Sequence, residues 1–172
     1  MSNVLIGIIG VILFIGLAIA GASFLGPRFQ QSTNMSKAAS VTASLDQMAN
    51  AVKMRKVSTG STGPAGSPNY LVTEGYLKAI PQDVLDPVNS FFDFRDLNGT
   101  YGGNAAYALA GLNAGNTTHV STCKEINRIT GIGDADGNPP QAGSPPGRMG
   151  CFVNNAGWGG LPNGILIVYR KL

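Results

Sequence analysis

Val4-Leu-Ile-Gly-Ile-Ile-Gly-Val-Ile-Leu-Phe-Ile-Gly-Leu-Ala-Ile-Ala-Gly-Ala-Ser-Phe-Leu25 is the stretch on which the fold turns, and no charged side chain precedes Arg28. At about 1.5 Å per residue it makes on the order of 33 Å of helix, enough to cross a bilayer core. Phe29 to Val57 follows with no loop between and is amphipathic. Ala38, Val41, Leu45, Met48 and Val52 recur at steps of three and four on one face. Ser36, Lys37, Ser40, Ser44, Gln47 and Lys53 take the opposite face. The pattern predicts one long helix, apolar in its first half and packed on a sheet by its second. Gly26-Pro27 predicts a kink or locally unwound stretch around Gly21 to Pro27, because proline lacks the donor for the preceding turn.

Composition bounds what the rest does. Lys plus Arg number 12 and Asp plus Glu 9, a net +3 too mild to specify a nucleic-acid partner. With 24 Gly, 10 Pro and only 12% charged residues, the chain suits a small domain with long loops. The two cysteines, Cys123 and Cys151, form no C-x-x-C pair. In a domain outside the cytoplasm they read as one disulfide, contributing about 3 kcal/mol on the chain-entropy model. In the cytosol they read as two buried thiols.

Three readings compete for the apolar segment. A secretory signal has small-residue cleavage sites available at Ala18-Ile-Ala20 and Ala20-Gly-Ala22, but its basic start is missing from Met1-Ser2-Asn3. A single-span anchor with its first cations at Arg28 and Lys37 places the large domain in the cytoplasm, against the disulfide. A short basic leader that set the topology and was removed ahead of Met1 reconciles both, and is the expected case.

After Val57 the character changes. Ser58 to Pro68 is a turn-rich connector, and Tyr70 to Ala79 reads as a short helix or irregular segment stopped by Pro81. Strands are predicted at Phe91–Arg95, Ala106–Leu112, Met149–Val153 and Ile165–Arg170, with Asn98-Gly99, Gly102-Gly103 and Asn163-Gly164 as turn signals. Val120 to Ile129 predicts a helix with Cys123, Ile126 and Ile129 on one face, and Gly131 to Gly147 a loop rich in Gly and Pro. The expected fold class is α+β, a long N-terminal helix packed on a small antiparallel sheet. Its regions are an apolar helix over 1–27, an amphipathic half over 28–57 and a globular head over 58–172.

Catalytic chemistry is searched for without result. His119, the single histidine, sits beside Thr117-Thr118 in a turn-like stretch and reads as a surface residue. No nucleophile elbow, P-loop or dinucleotide fingerprint occurs. Asp134-Ala-Asp-Gly-Asn138 has alternate oxygens like the start of a calcium loop. Its glycine falls at the fourth position, however, and Pro145 stands where the twelfth-position Glu belongs, so it reads as a solvated turn. Asn98-Gly-Thr100 and Asn116-Thr-Thr118 match the glycosylation triplet, a match Gly-rich turns give by chance. Lys53, Arg55 and Lys56 read as charges complementing a helix C-terminus rather than as a DNA patch. No catalytic, cofactor-binding or metal-binding residue is expected.

Ser32-Thr-Asn-Met-Ser-Lys-Ala-Ala-Ser-Val-Thr-Ala-Ser-Leu-Asp-Gln-Met-Ala-Asn-Ala-Val52 resembles the second half of the long helix of type IVb pilins. The apolar start at a methionine resembles a mature pilin after leader removal. Leu71-Val-Thr-Glu-Gly-Tyr-Leu-Lys-Ala-Ile-Pro81 is similar to the segment where the αβ-loop of those pilins approaches the sheet, and Cys123-Lys-Glu-Ile-Asn-Arg-Ile with Cys151 to their disulfide-bounded region. The resemblance covers the layout of the whole chain and the motif detail of its first third.

That resemblance implies a structural subunit that waits in the bacterial inner membrane, is processed by a prepilin peptidase, and polymerises with its own copies into an extracellular pilus. Met1 would be the processed, N-methylated N-terminus, and Leu5, Gly7, Gly10, Phe14, Gly16 and Ala20 would pack the filament core. The pilus assembly machinery is the other implied partner, and no nucleic acid is expected. Where the family usually carries Glu at the fifth position, Leu5 stands here, and no acid occurs before Asp46. A minor pilin or membrane-anchored adhesin lacking that Glu is the alternative. Abundant Gly and Ala are also ordinary in any membrane helix.

Overall fold

The structure is a computed structural model that describes residues 2–81, 91–101 and 103–172. The chain forms two compact units, Met1–Asn34 and Met35–Leu172. Helix α1 runs over Ser2–Thr59, and among the described residues it is the one helix long and apolar enough to cross a membrane. It is helical throughout Gly21–Pro27, so of the kink or unwound stretch expected around Gly26 and Pro27 the unwound form does not occur. The reason is local. A proline nitrogen withholds a single hydrogen bond from the ladder, and the turns on either side retain theirs.

In the second unit α1 is followed by α2 (Asn69–Thr73), β1 (Phe91–Arg95), β2 (Tyr107–Leu112), α3 (Thr117–Thr130), β3 (Gln141–Ala142), β4 (Met149–Asn154) and β5 (Leu166–Lys171). The sheet order is β1-β2-β5-β4-β3. All neighbours are antiparallel except β3, which runs parallel to β4, pairing Gln141 with Val153 and Ala142 with Asn154. The fold is thus α+β, but the sheet is mixed where an antiparallel one was expected. β3 lies inside the stretch read as loop. Two residues carry no alternating pattern, and the strand exists because Pro140 and Ala142 offer carbonyls to Val153 and Asn155 at the edge of β4.

Strand alternation sorts side chains onto two buried faces. Phe94, Ala108, Ala110, Cys151, Leu166 and Val168 share one core with Val41, Leu45, Met48 and Val52 of α1 and Ile126 of α3. The face expected from the helical spacing, Ala38 to Val52, is the buried one. Each large apolar side chain placed there contributes roughly 2 kcal/mol. Leu109, Phe152, Ile167 and Tyr169 point the other way, into a second core closed by Trp158 and Leu161. Trp158 stacks edge-on against Tyr107 and Phe152.

Arg95, 1% exposed, organises the border of that second core. It pairs with Asp93, donates to the carbonyls of Phe94 (3.2 Å) and Gly159 (3.1 Å), and donates to the Tyr101 hydroxyl at 2.7 Å. A charge this deep is tolerable only with such partners.

Cys123 on α3 and Cys151 on β4 are joined, with their Cα atoms 5.5 Å apart. Asn127, one turn on, doubles the link. Its Nδ2 donates to the Cys151 carbonyl at 2.9 Å and its Oδ1 accepts from the Cys151 amide at 2.7 Å. Replacing both cysteines with serine should lower the stability of the head by about 3 kcal/mol without changing its secondary structure. Urea unfolding of the detergent-solubilised chain, followed by circular dichroism, measures this.

Candidate functional site

The first unit has an apolar exterior. Ile6, Ile8, Ile9, Val11, Ile12, Leu13, Ile15 and Ile19 are each at least half exposed, and Phe14 and Leu17 reach 73%. Gly7, Gly10, Gly16, Gly21 and Gly26 are equally bare. A Cβ built on any of them meets nothing within 4 Å. Each glycine weakens a helix interior by about 1 kcal/mol relative to alanine, and no contact among the described residues requires one at these positions. Of the six residues expected to pack a filament core, Gly7, Gly10, Phe14, Gly16 and Ala20 are exposed. The side chain of Leu5, like Met1, lies outside the described residues.

The head places the remaining sequence candidates. His119 is fully buried, not on the surface. Helix α3 starts at Thr117, three residues before the expected Val120, because Asn116 caps it by accepting from the amides of Thr118 and His119. That start turns His119 onto the buried face with Thr122, Cys123 and Ile126, while Ile129 in the last turn is exposed. The His119 Nδ1 accepts from the Asn113 amide at 3.0 Å, and its Nε2 has no partner among the described residues. Since Asn116 is the cap, one of the two glycosylation triplets serves a structural end.

Asp134 turns its carboxylate onto its own loop. One oxygen accepts from the amides of Asp136 (3.0 Å) and Asn138 (2.8 Å), the other from the Asn138 side chain at 2.7 Å. Asp96 does the same with Asn98, Thr100 and the Thr100 hydroxyl. Asp96-Leu-Asn-Gly-Thr100 and Asp134-Ala-Asp-Gly-Asn138 are one turn used twice. Its fourth residue is glycine with positive φ because the chain presses close there. A Cβ on Gly137 would sit 2.3 Å from the Lys124 carbonyl oxygen, and one on Gly99 would sit 2.5 Å from Trp158 Nε1. In the sequence the two copies read separately, one as a turn with a glycosylation triplet and the other as a calcium-loop-like solvated turn. Among the described residues no cluster of His, Cys, Asp or Glu is arranged to hold a metal.

The three cations near the end of α1 go separate ways. Arg55 forks onto Glu74, with Nε and Nη2 donating at 2.6 and 3.0 Å, and also donates to the Ser61 carbonyl. It thereby ties the connector to α2. Lys53 lines a cavity of about 330 Å³ with Arg148, Arg170, Lys171 and Leu172. Sequence reasoning missed that convergence, since Lys53 lies far along the chain from the other four.

Scans against family models, curated proteins and solved structures return no match.

Three exposed carboxylates are held below their ordinary range. Glu74 is lowered first by its hydrogen bonds from Arg55, Asp96 first by the Thr100 hydroxyl, and Asp134 first by the Asn138 side chain. A depressed folded-state pKa stabilises the fold above the unfolded value near 4, and that contribution is lost as pH falls through the folded value. The melting temperature of the head should therefore be flat above about pH 5 and fall below about pH 4. In a Glu74→Gln, Asp96→Asn, Asp134→Asn triple variant the drop should shrink, as differential scanning fluorimetry across that range would register.

Proposed function

We propose that this chain is a type IVb pilin-like subunit of an extracellular filament, assembling with its own copies through the apolar half of α1. Before assembly that half holds the subunit in the inner membrane. On this reading a prepilin peptidase processes the subunit, and the assembly machinery transfers it to the growing fibre. The observation that carries the reading is the set of bare glycines on an exposed apolar helix. Glycine is costly in a solitary helix, but it lets neighbouring helices approach closely where no water competes. The disulfide supports it too, since such a bond persists in oxidising compartments. The order of parts, a long helix whose second half packs on a small sheet, agrees with it as well.

Leu5 favours a second reading, a minor subunit or membrane-anchored adhesin. Without an acid before Asp46, no early carboxylate can meet the amine of a neighbouring subunit in the apolar core. Purified native material separates the two readings in negative stain, where only a major subunit yields long homopolymeric fibres.

Gly10→Leu and Gly16→Leu should each block filament formation while leaving the disulfide and the circular dichroism of the head unchanged. Normal fibres from both variants would overturn the helix-packing proposal.

A further inference from the structure

The cavity at the Tyr107–Lys171 end of the sheet is lined by four cations, Lys53, Arg148, Arg170 and Lys171, together with Leu172. Arg170 and Lys171 belong to β5, and Arg148 immediately precedes β4. Arg148 and Lys171 are tied by the bond from the Lys171 amide to the Arg148 carbonyl at 2.7 Å, and Arg170 pairs across the ladder with Met149. Lys53 comes from α1, next to Val52 in the core shared with this sheet.

Of the four, Arg170 alone has an acidic partner among the described residues. Its Nε lies 3.0 Å from an Asp46 oxygen, and its Nη1 faces the Met149 sulfur. Lys53, Arg148 and Lys171 have no ion pair among the described residues. Like charges gathered round a concavity repel one another, and the low-dielectric wall behind them concentrates a positive potential that a counter-ion relieves. Five of the described acids are engaged away from the cavity, Glu74 on Arg55, Glu125 on Arg128, Asp93 on Arg95, and Asp96 and Asp134 on their own turns.

We propose that this cavity is a binding site for a small phosphate-bearing anion. Arg148 offers a planar fork and Lys53 and Lys171 point charges, with Arg170 held beside them by Asp46, a donor set that phosphate oxygens match. A volume of about 330 Å³ accommodates a pyrophosphate or a sugar phosphate. Being concave and small, it does not fit the convex backbone of a nucleic-acid duplex. The site lies on the head and is independent of how the apolar helix is used.

The test is isothermal titration of the full chain in neutral detergent at low salt, with pyrophosphate as probe. Pyrophosphate should bind, with affinity falling steeply between 20 and about 300 mM salt as screening sets in. Lys53→Gln and Arg148→Gln should each weaken it about tenfold, with no change in melting temperature. Glycerophosphoglycerol, the soluble part of a common lipid headgroup, distinguishes the sources. Preference for it over pyrophosphate assigns the site to a lipid phosphodiester, and the reverse assigns it to a free phosphate. Failure of both probes to bind at low salt overturns the proposal, as does binding that survives in the double variant. Tighter binding of a 20-base-pair duplex, abolished by the same substitutions, overturns the small-anion assignment.

Discussion

Burial of Val41, Leu45, Met48 and Val52 against Phe94, Ala108, Ala110 and Val168 is the constraint from which the head follows. The helix contributes the bulk and β2 contributes alanines, so large side chains meet small ones and the layers can close at native density. Once this face is covered, period-2 alternation obliges Leu109, Phe152, Ile167 and Tyr169 to point to the far side. A second cover is then needed, and the Trp158–Leu161 turn supplies it. Arg95 matters because it joins that turn to β1, through the Gly159 carbonyl on one side and Asp93 on the other.

The same helix has the opposite character over its first unit, where apolar side chains face outward along its length. A soluble monomer does not keep such a surface. By length and composition this segment could cross a membrane. Helix α1 supplies residues to both units, its second half to the core of the head.

Much of this was open to reading from spacing alone. The apolar run, the five-residue stripe Ala38–Val52 and the strands at Phe91–Arg95 and Met149–Asn154 follow from periodicities of 3.6 and 2 that burial imposes. β3 was not legible, because two residues held by another strand's edge leave no pattern of their own. His119 was misplaced because Asn116 starts α3 earlier than its apolar spacing suggests, and a cap acts through a single side chain rather than a period. Arg95 gave no sign of burial, since its partners Gly159 and Tyr101 reach it only through the fold.

By itself the sequence determined the helix, its apolar and amphipathic halves, the class of the fold and the pairing chemistry available to two cysteines, because each is a local or periodic property of the chain. Tertiary structure alone decided that Lys53 meets Arg148, Arg170 and Lys171 around one cavity, that Arg55 leaves them for Glu74, and that two aspartate turns are the same device. The physical reason is that charges carry no periodicity. Which cations share a concavity depends on where the packed layers end, and those ends are set by contacts between residues about a hundred positions apart along the chain.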